Sequence, residues 1–149
     1  MRKSWHEVWM SMAYAVSERS YDPRLKVGSI IVSEDNTQLL SLGYNGNYSG
    51  GPNEPESLEP GQSGFLHSEV NCLIKCDFNF HKKKVMYVTH SPCRQCSKAI
   101  VNGRISSVIY DIQYRDVSGL DILKSSGISV FSLKEAENII QQIDIDNVF

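Results

Sequence analysis

Residues 85–96 have the sequence Val85-Met86-Tyr87-Val88-Thr89-His90-Ser91-Pro92-Cys93-Arg94-Gln95-Cys96. The first five are apolar or β-branched, which is typical of a buried strand. We predict that Ser91 caps a helix directly after this strand, with Pro92 at its first position, where proline is favoured. The rest of the chain repeats this alternation of strand and helix.

Five strands are predicted, at 27–32, 38–44, 85–89, 107–110 and 128–131. Five helices are predicted. The first runs from the capping box Ser4-Trp5-His6-Glu7 to about Arg19, the second starts at about His67, and the third runs from Pro92 to about Asn102. The fourth runs through Leu120 to Gly127, and the fifth starts at the capping box Ser132-Leu133-Lys134-Glu135. In the first helix the apolar residues at helical spacing are Trp5, Val8, Trp9, Met12, Ala15 and Val16. Strands 1 and 2 should form an antiparallel hairpin, and strands 4 and 5 should run parallel because a helix joins them. The fold class is therefore α/β, with a mixed sheet of about five strands between helices in three layers.

Composition limits the class of protein. The chain has 149 residues, of which 41 % are hydrophobic, and this suits a single domain spanning 1–149. No apolar run is long enough to cross a membrane, and the first residues lack the apolar region of a signal peptide, so we expect a cytoplasmic protein. The formal net charge of −2 disfavours a large nucleic-acid surface.

Two short motifs carry the chemistry. His67-Ser68-Glu69 lies at the predicted start of the second helix, and Cys93 and Cys96 lie in the first turn of the third. One imidazole and two thiolates can hold zinc and leave its fourth position open for water, whose pKa zinc lowers to roughly 7. Glu69 is not needed as a ligand, so it can act as general base and then general acid.

Other interpretations remain open for these residues. Cys93 and Cys96 could form a redox pair. A structural zinc normally has four protein ligands, and His90 could supply the fourth. The chain would then be a zinc-stabilised binding module without catalysis, and such a site has no use for Glu69.

The combined pattern H-x-E…P-C-x-x-C is the signature of the zinc-dependent nucleobase deaminases. The surrounding sequence resembles the deoxycytidylate (dCMP) deaminases over most of the chain, from about Arg24 to Phe131. The resemblance lies in the segments 24–32, 86–93 and 108–110, and in Gly43-Tyr44-Asn45-Gly46, which favours the deoxynucleotide branch.

The resemblance implies a cytidine-deaminase-like fold and the conversion of dCMP and water to dUMP and ammonia, which supplies dUMP for thymidylate synthesis. It implies that Asn45 hydrogen-bonds the base or sugar and that Tyr114 packs against the base. Arg24 and Lys26 are candidates for the 5′-phosphate by charge and position. Arg115 is a weaker one.

Family members are commonly hexamers, activated by dCTP with Mg²⁺ and inhibited by dTTP. The resemblance therefore implies a homo-oligomer and such control here, and the long loop 45–66 is the expected place for it. The usual His-Ala-Glu is His-Ser-Glu in this chain, a change that should spare the chemistry. Residues 45–66 contain no Cys or His, so we predict one zinc per chain rather than the additional structural zinc of some phage members. The short chain is compatible with a phage member.

Rival substrates are an adenosine or cytidine in tRNA or another RNA, and free cytidine. The net charge and the acidic residues Glu54, Glu56 and Glu59 disfavour RNA. A free-cytidine deaminase would pair its last two strands antiparallel, whereas a helix is predicted between them here.

Overall fold

The computed structural model describes the backbone of residues 2–148 and the side chains of residues 2–140. The strands are β1 (Gly28–Ser33), β2 (Leu39–Tyr44), β3 (Lys84–His90), β4 (Ser107–Ile112) and β5 (Ser129–Ser132). The helices are α1 (Trp5–Ser17), α2 (Ser68–Ile74), α3 (Arg94–Asn102), α4 (Ser118–Ser125) and α5 (Leu133–Val148).

The strands form one mixed sheet in the order β2-β1-β3-β4-β5. β1 pairs antiparallel with β2 and with β3, whereas β3, β4 and β5 are mutually parallel. The predicted hairpin, the parallel pair β4–β5 and the α/β class are thereby confirmed.

The core is divided between the two faces of the sheet. Ile31, Met86 and Val88 pack with residues of α2, α3 and α4 on one face, including Cys72, Ile100 and Leu123. Ile30, Tyr87 and Ile109 pack with α1 and α5 on the other, against Trp9, Ala13 and Ala136. Because successive side chains of a strand point to opposite faces, the uninterrupted apolar runs of β1 and β3 serve both layers.

The buried face of α1 differs from the predicted stripe. Its buried residues are Trp9, Met10, Ala13 and Ser17, while Trp5 is 53 % exposed. Small residues are needed at this crossing, since a Cβ added to Gly28 of β1 would lie 2.0 Å from the carbonyl oxygen of Ala13.

The start of α3 also differs from the prediction. The helix begins at Arg94 with Cys93 as its N-cap, not at Pro92 with Ser91. The Ser91 hydroxyl instead accepts a hydrogen bond from the backbone N–H of Tyr114, 2.9 Å away. Ser91 therefore joins the ends of β3 and β4, and the helix is capped by the first cysteine of the motif.

α2 approaches β2 closely at Gly43. A Cβ at this position would lie 2.5 Å from both the backbone nitrogen of Cys72 and the carbonyl oxygen of Ser68. The glycine of the Gly-Tyr-Asn-Gly segment thus lets α2, which carries Glu69, rest on the sheet. None of the described helices combines the length and apolar character needed to cross a membrane.

Candidate active site

Two of the three predicted metal ligands are N-cap residues. His67 precedes α2 and Cys93 precedes α3, and both have extended backbone angles that turn the chain into the helix. Cys96 lies in the first turn of α3, so its side chain projects from the same helix end as that of Cys93. Both helix starts therefore meet at one place beside the sheet.

The three side chains form a compact group. His67 Nδ1 lies 3.6 Å from Cys93 Sγ and 3.3 Å from Cys96 Sγ. One ligand atom from each residue falls within 4.8 Å of the others, and this is the one such His, Cys, Asp or Glu group among the described residues. One imidazole and two thiols form a set that fits Zn²⁺ and leaves a coordination position for water.

The ionisation of the thiols supports this fit. Hydrogen bonds from Cys96 and His67 lower the pKa of Cys93 to about 4, while the hydrogen bond to Cys93, together with burial, raises the pKa of Cys96. The hydrogen bond with Cys93 also raises the pKa of His67. Cys93 is therefore the thiol of the pair that ionises readily, and a bound divalent cation would stabilise both sulfurs as thiolates.

Glu69 lies in the first turn of α2 and is 4 % exposed. The hydroxyl of Ser68 donates a hydrogen bond of 2.6 Å to its Oε1. Burial raises the pKa of the Glu69 carboxyl, against the opposing effects of Ser68 and of charged His67. A carboxyl with a raised pKa is suited to exchanging protons near neutral pH.

A cavity of about 350 Å³ opens next to this group. His67, Glu69 and Cys93 line it on one side, and Asn45, His90 and Tyr114 also contribute to its wall. Eight further residues of the 45–66 loop also line it: Pro55, Ser57, Leu58, Glu59, Pro60, Gly61, Ser63 and Phe65. The loop thus encloses the cavity next to the metal-binding group.

The loop leaves and rejoins the body of the protein at one point. Gly46 and Leu66 exchange backbone hydrogen bonds of 3.0 and 2.8 Å. Within the 45–66 loop, the backbone N–H of Glu56 donates a hydrogen bond to the carbonyl of Ser63 at 2.8 Å. These bonds hold residues 55–65 over the cavity.

Asn45 is 7 % exposed and its side chain is largely engaged within the protein. Its Oδ1 accepts from the backbone N–H of Val27 at 2.8 Å. Its Nδ2 donates to the carbonyl of Leu25 at 2.9 Å and to Asp22 Oδ2 at 3.2 Å. Asn45 therefore fixes the segment 22–27, and its predicted contact with a substrate stays a prediction.

The structure distinguishes between the two candidate phosphate ligands, Arg24 and Lys26. Arg24 lines the cavity, whereas Lys26 does not and instead lies 3.8 Å from Glu18 in an exposed ion pair. Tyr114 lines the cavity, but its neighbour Arg115 does not.

His90 is the residue whose position the sequence left undecided. It does not join the metal-binding group among the described residues. Its ring lines the cavity and stacks on Tyr114 with centroids 5.5 Å apart. Its place at the carboxyl end of a parallel strand, where ligands bind in α/β sheets, was the available signal.

Comparison with known proteins agrees with this geometry. Residues 3–112 match the family described as the cytidine and deoxycytidylate deaminase zinc-binding region. The dCMP deaminase of cyanophage S-TIM5, solved in complex with dCMP and dUMP, is 34 % identical, with a TM-score of 0.76 over 89 % of this chain and 98 % of its own. The deoxycytidylate deaminase of Mycobacterium phage D29 is 31 % identical over 73 % of this chain and 95 % of its own length.

The deoxycytidylate deaminase of Saccharomyces cerevisiae is 32 % identical over 94 % of this chain, which spans about half (49 %) of the yeast protein. The family match covers α1 to α3, β1 to β4 and the whole His67–Cys93–Cys96 group. The chain is therefore a member of the cytidine and deoxycytidylate deaminase family.

Proposed function

We propose that the protein catalyses the zinc-dependent hydrolytic deamination of dCMP to dUMP and ammonia, and so supplies dUMP for thymidylate synthesis. The observation that carries this proposal is a single cavity lined by His67, Cys93 and the buried carboxyl of Glu69. The relatives named as deoxycytidylate deaminases, and the phage enzyme bound to dCMP and dUMP, support dCMP as the substrate.

His67, Cys93 and Cys96 would hold the zinc ion. When bound, it supplies Lewis acidity toward a water molecule and brings the pKa of that water to roughly 7. Glu69 removes a proton from the attacking water and delivers it to the ring nitrogen next to the amino-bearing carbon. Glu69 then transfers the second proton of the water to the departing amino group, which leaves as ammonia.

Arg24 anchors the 5′-phosphate in this proposal. It is the one Lys or Arg that lines the cavity within the described part of the chain. A guanidinium can bind a phosphate through two parallel hydrogen bonds. Lys26, two residues further on, is the second candidate, but it does not line the cavity and is paired with Glu18.

Asn45 and Tyr114 complete the proposed nucleotide contacts. Both Nδ2 hydrogens of Asn45 are already donated to protein oxygens. A substrate contact is therefore made through the second lone pair of Oδ1, which accepts from a sugar hydroxyl. Tyr114, stacked on His90, offers an aromatic surface for the base.

The cavity favours a free nucleotide over RNA. A volume of about 350 Å³ lies within the usual range for small ligands. Glu59 of the enclosing loop also lines the cavity and would repel a polyanion. A binding module without catalysis would not need a buried carboxyl at the metal-binding group.

Further properties of the proposal rest on the family resemblance. They are one deaminase domain over 1–149, assembly into a homo-hexamer, a cytoplasmic location, activation by dCTP with Mg²⁺ and inhibition by dTTP. Because residues 55–65 border the cavity, an effector that moves the 45–66 loop would change access to the site.

The test is a panel of substrates offered to the zinc-loaded protein. Ammonia release and product formation are measured with dCMP, deoxycytidine, cytidine and an adenosine-containing tRNA hairpin. We expect dCMP to be the preferred substrate. Turnover of the hairpin alone would identify an RNA deaminase, and zinc binding without any turnover would identify a binding module.

A further inference from the structure

We propose that His90 is a substrate-binding residue whose Nε2–H donates a hydrogen bond to an acceptor oxygen of the nucleotide. This proposal rests on the proposed function and adds a contact that determines how the nucleotide is seated. It follows from the hydrogen-bond partners of Thr89 and His90 and from the position of the His90 ring in the cavity wall.

The His90 ring is held in a fixed orientation. His90 is 8 % exposed, and its ring stacks on that of Tyr114 with an angle of 26° between the two ring planes. Tyr114 is in turn fixed through its backbone N–H, which donates to Ser91 Oγ at 2.9 Å. The ring is therefore positioned before any ligand enters.

The neighbouring hydroxyl determines which ring nitrogen carries the proton. Thr89 is fully buried, its Oγ1 accepts from the backbone N–H of Gly28 at 3.3 Å, and it lies 2.8 Å from His90 Nδ1. In the described part of the chain the Thr89 hydroxyl has no other acceptor, and a buried hydroxyl hydrogen needs one. Thr89 therefore donates to Nδ1, and the neutral ring has its proton on Nε2.

The second ring nitrogen is open to the cavity. Among the described residues Nε2 has no hydrogen-bond partner. The fully enclosed side-chain polar atoms that lack a partner are the hydroxyls of Ser29, Ser97 and Ser118. Nε2 is not one of them, so it is accessible from outside the protein. His90 lines the cavity beside Cys93 and Asn45, so Nε2 is reached from there. Burial lowers the pKa of His90, which keeps the ring neutral.

A neutral N–H without a protein acceptor selects for an acceptor on the ligand. In a deoxynucleotide monophosphate this is the carbonyl oxygen of the pyrimidine, a sugar oxygen or a phosphate oxygen. The chemistry is the same in each case, and comparison of dCMP with deoxycytidine separates the phosphate from the other two.

Three variants separate the donor from the structural role of the ring. His90→Gln places an amide N–H near the position of Nε2, whereas His90→Asn keeps an acceptor for Thr89 near the position of Nδ1 but does not reach the cavity. His90→Phe keeps the stacking surface alone. We expect kcat/KM for dCMP to fall about tenfold in the Asn and Phe variants, the size of one lost hydrogen bond, and to stay within about threefold in the Gln variant.

The pattern of activities decides the proposal. If the Asn variant matches the wild type, or the Gln variant is as impaired as the Phe variant, the cavity-facing donor is excluded. If the loss is confined to dCMP and absent with deoxycytidine, the acceptor is the phosphate. An equal loss with both substrates places the acceptor on the base or sugar.

Nitrogen-15 NMR of labelled histidine gives a readout that does not depend on turnover. We expect the His90 ring as the Nε2–H tautomer in the zinc-loaded protein and a shift of this resonance on addition of dCMP or dUMP. An Nδ1–H tautomer, or no shift at saturating nucleotide, overturns the proposal. If the shift occurs in a protein that deaminates none of the substrates, the proposed function fails while the His90 contact stands.

Discussion

Cys93 Sγ accepts a hydrogen bond from the backbone N–H of Cys96, 3.4 Å away, so a predicted zinc ligand also caps α3. Ser, Thr, Asp and Asn are the usual residues at this position because their oxygens satisfy the free N–H groups of the first turn. Here a sulfur makes this bond, and the helix start positions it next to Cys96 and His67.

Replacing Cys93 by serine separates these two roles. Cys93→Ser keeps an N-cap, since serine is among the best capping residues, but removes a soft zinc ligand. We expect the variant to keep its helical circular dichroism and to lose most of its zinc and activity, as measured by metal analysis of the purified protein.

The matched control is Cys76→Ser, at a free half-buried cysteine outside the metal-binding group. It should keep a full complement of zinc. Equal zinc in the Cys93→Ser protein and the wild type would exclude Cys93 as a ligand.

Glu69→Gln tests proton transfer. The amide has nearly the shape of the carboxyl and cannot take a proton from water, so we expect kcat to fall by about 100-fold to 10,000-fold, the usual contribution of a general acid or base. Zinc content should not change. Glu34→Gln, at an exposed residue outside the cavity, is the control and should retain wild-type kcat. Full turnover in the Glu69→Gln protein would contradict the assigned role.

Arg24→Gln and Lys26→Gln compare the two candidate phosphate ligands. Arg24 lines the cavity while Lys26 does not, so the loss of Arg24 should raise KM for dCMP by about tenfold or more and the loss of Lys26 by much less. Deoxycytidine, which has no phosphate, should show no such difference between the variants. The reverse order of effects would assign the phosphate to Lys26.

Asn45→Ala should destabilise the fold as well as the site. The substitution leaves the buried N–H of Val27 and the carbonyl of Leu25 without their partners, at a cost of about 1–3 kcal/mol. Urea unfolding measures this loss. Asn47→Ala, whose side chain makes exposed hydrogen bonds in the loop, should change the free energy of unfolding by less than about 0.5 kcal/mol.

Gly43→Ala tests the contact between α2 and β2. Its Cβ would lie 2.5 Å from two backbone atoms of α2, so the helix must shift, and we expect a loss of about 1–3 kcal/mol together with reduced kcat as Glu69 moves. The nearest atom to a Cβ at Gly46 is 3.8 Å away, so Gly46→Ala is the control. Equal stability of the two variants would show that α2 does not depend on this approach.

The order of strands and helices along the chain was predictable because period and capping signals act locally. The capping box of Ser132 and Glu135 forms as predicted, with hydrogen bonds of 3.1 Å in both directions. The face of α1 was not predictable from apolar spacing, because its buried centre at Ala13 is set by close contact with Gly28 of a distant strand.

The grouping of His67, Cys93 and Cys96 could be predicted from their motif, since these residues lie at helix starts that the sequence marks, and their binding of zinc stays a prediction. The residues of the cavity wall could not be predicted in this way, because the wall depends on contacts between distant segments. The amide of Asn45 is directed to Val27 and Leu25, and the ring of His90 is paired with Tyr114, and neither pairing has a local signal. From the sequence, His90 is a candidate fourth metal ligand, and its place in the cavity wall is not predicted.

The paired ends of the 45–66 loop have a consequence for engineering. Because the backbones of Gly46 and Leu66 already lie side by side, a segment of different length or composition can be joined at these two residues without redirecting β2 or α2. Loop segments from related enzymes could therefore be exchanged at this junction. Such exchanges would change which nucleotides can enter the cavity, while His67, Glu69, Cys93 and Cys96 keep their positions.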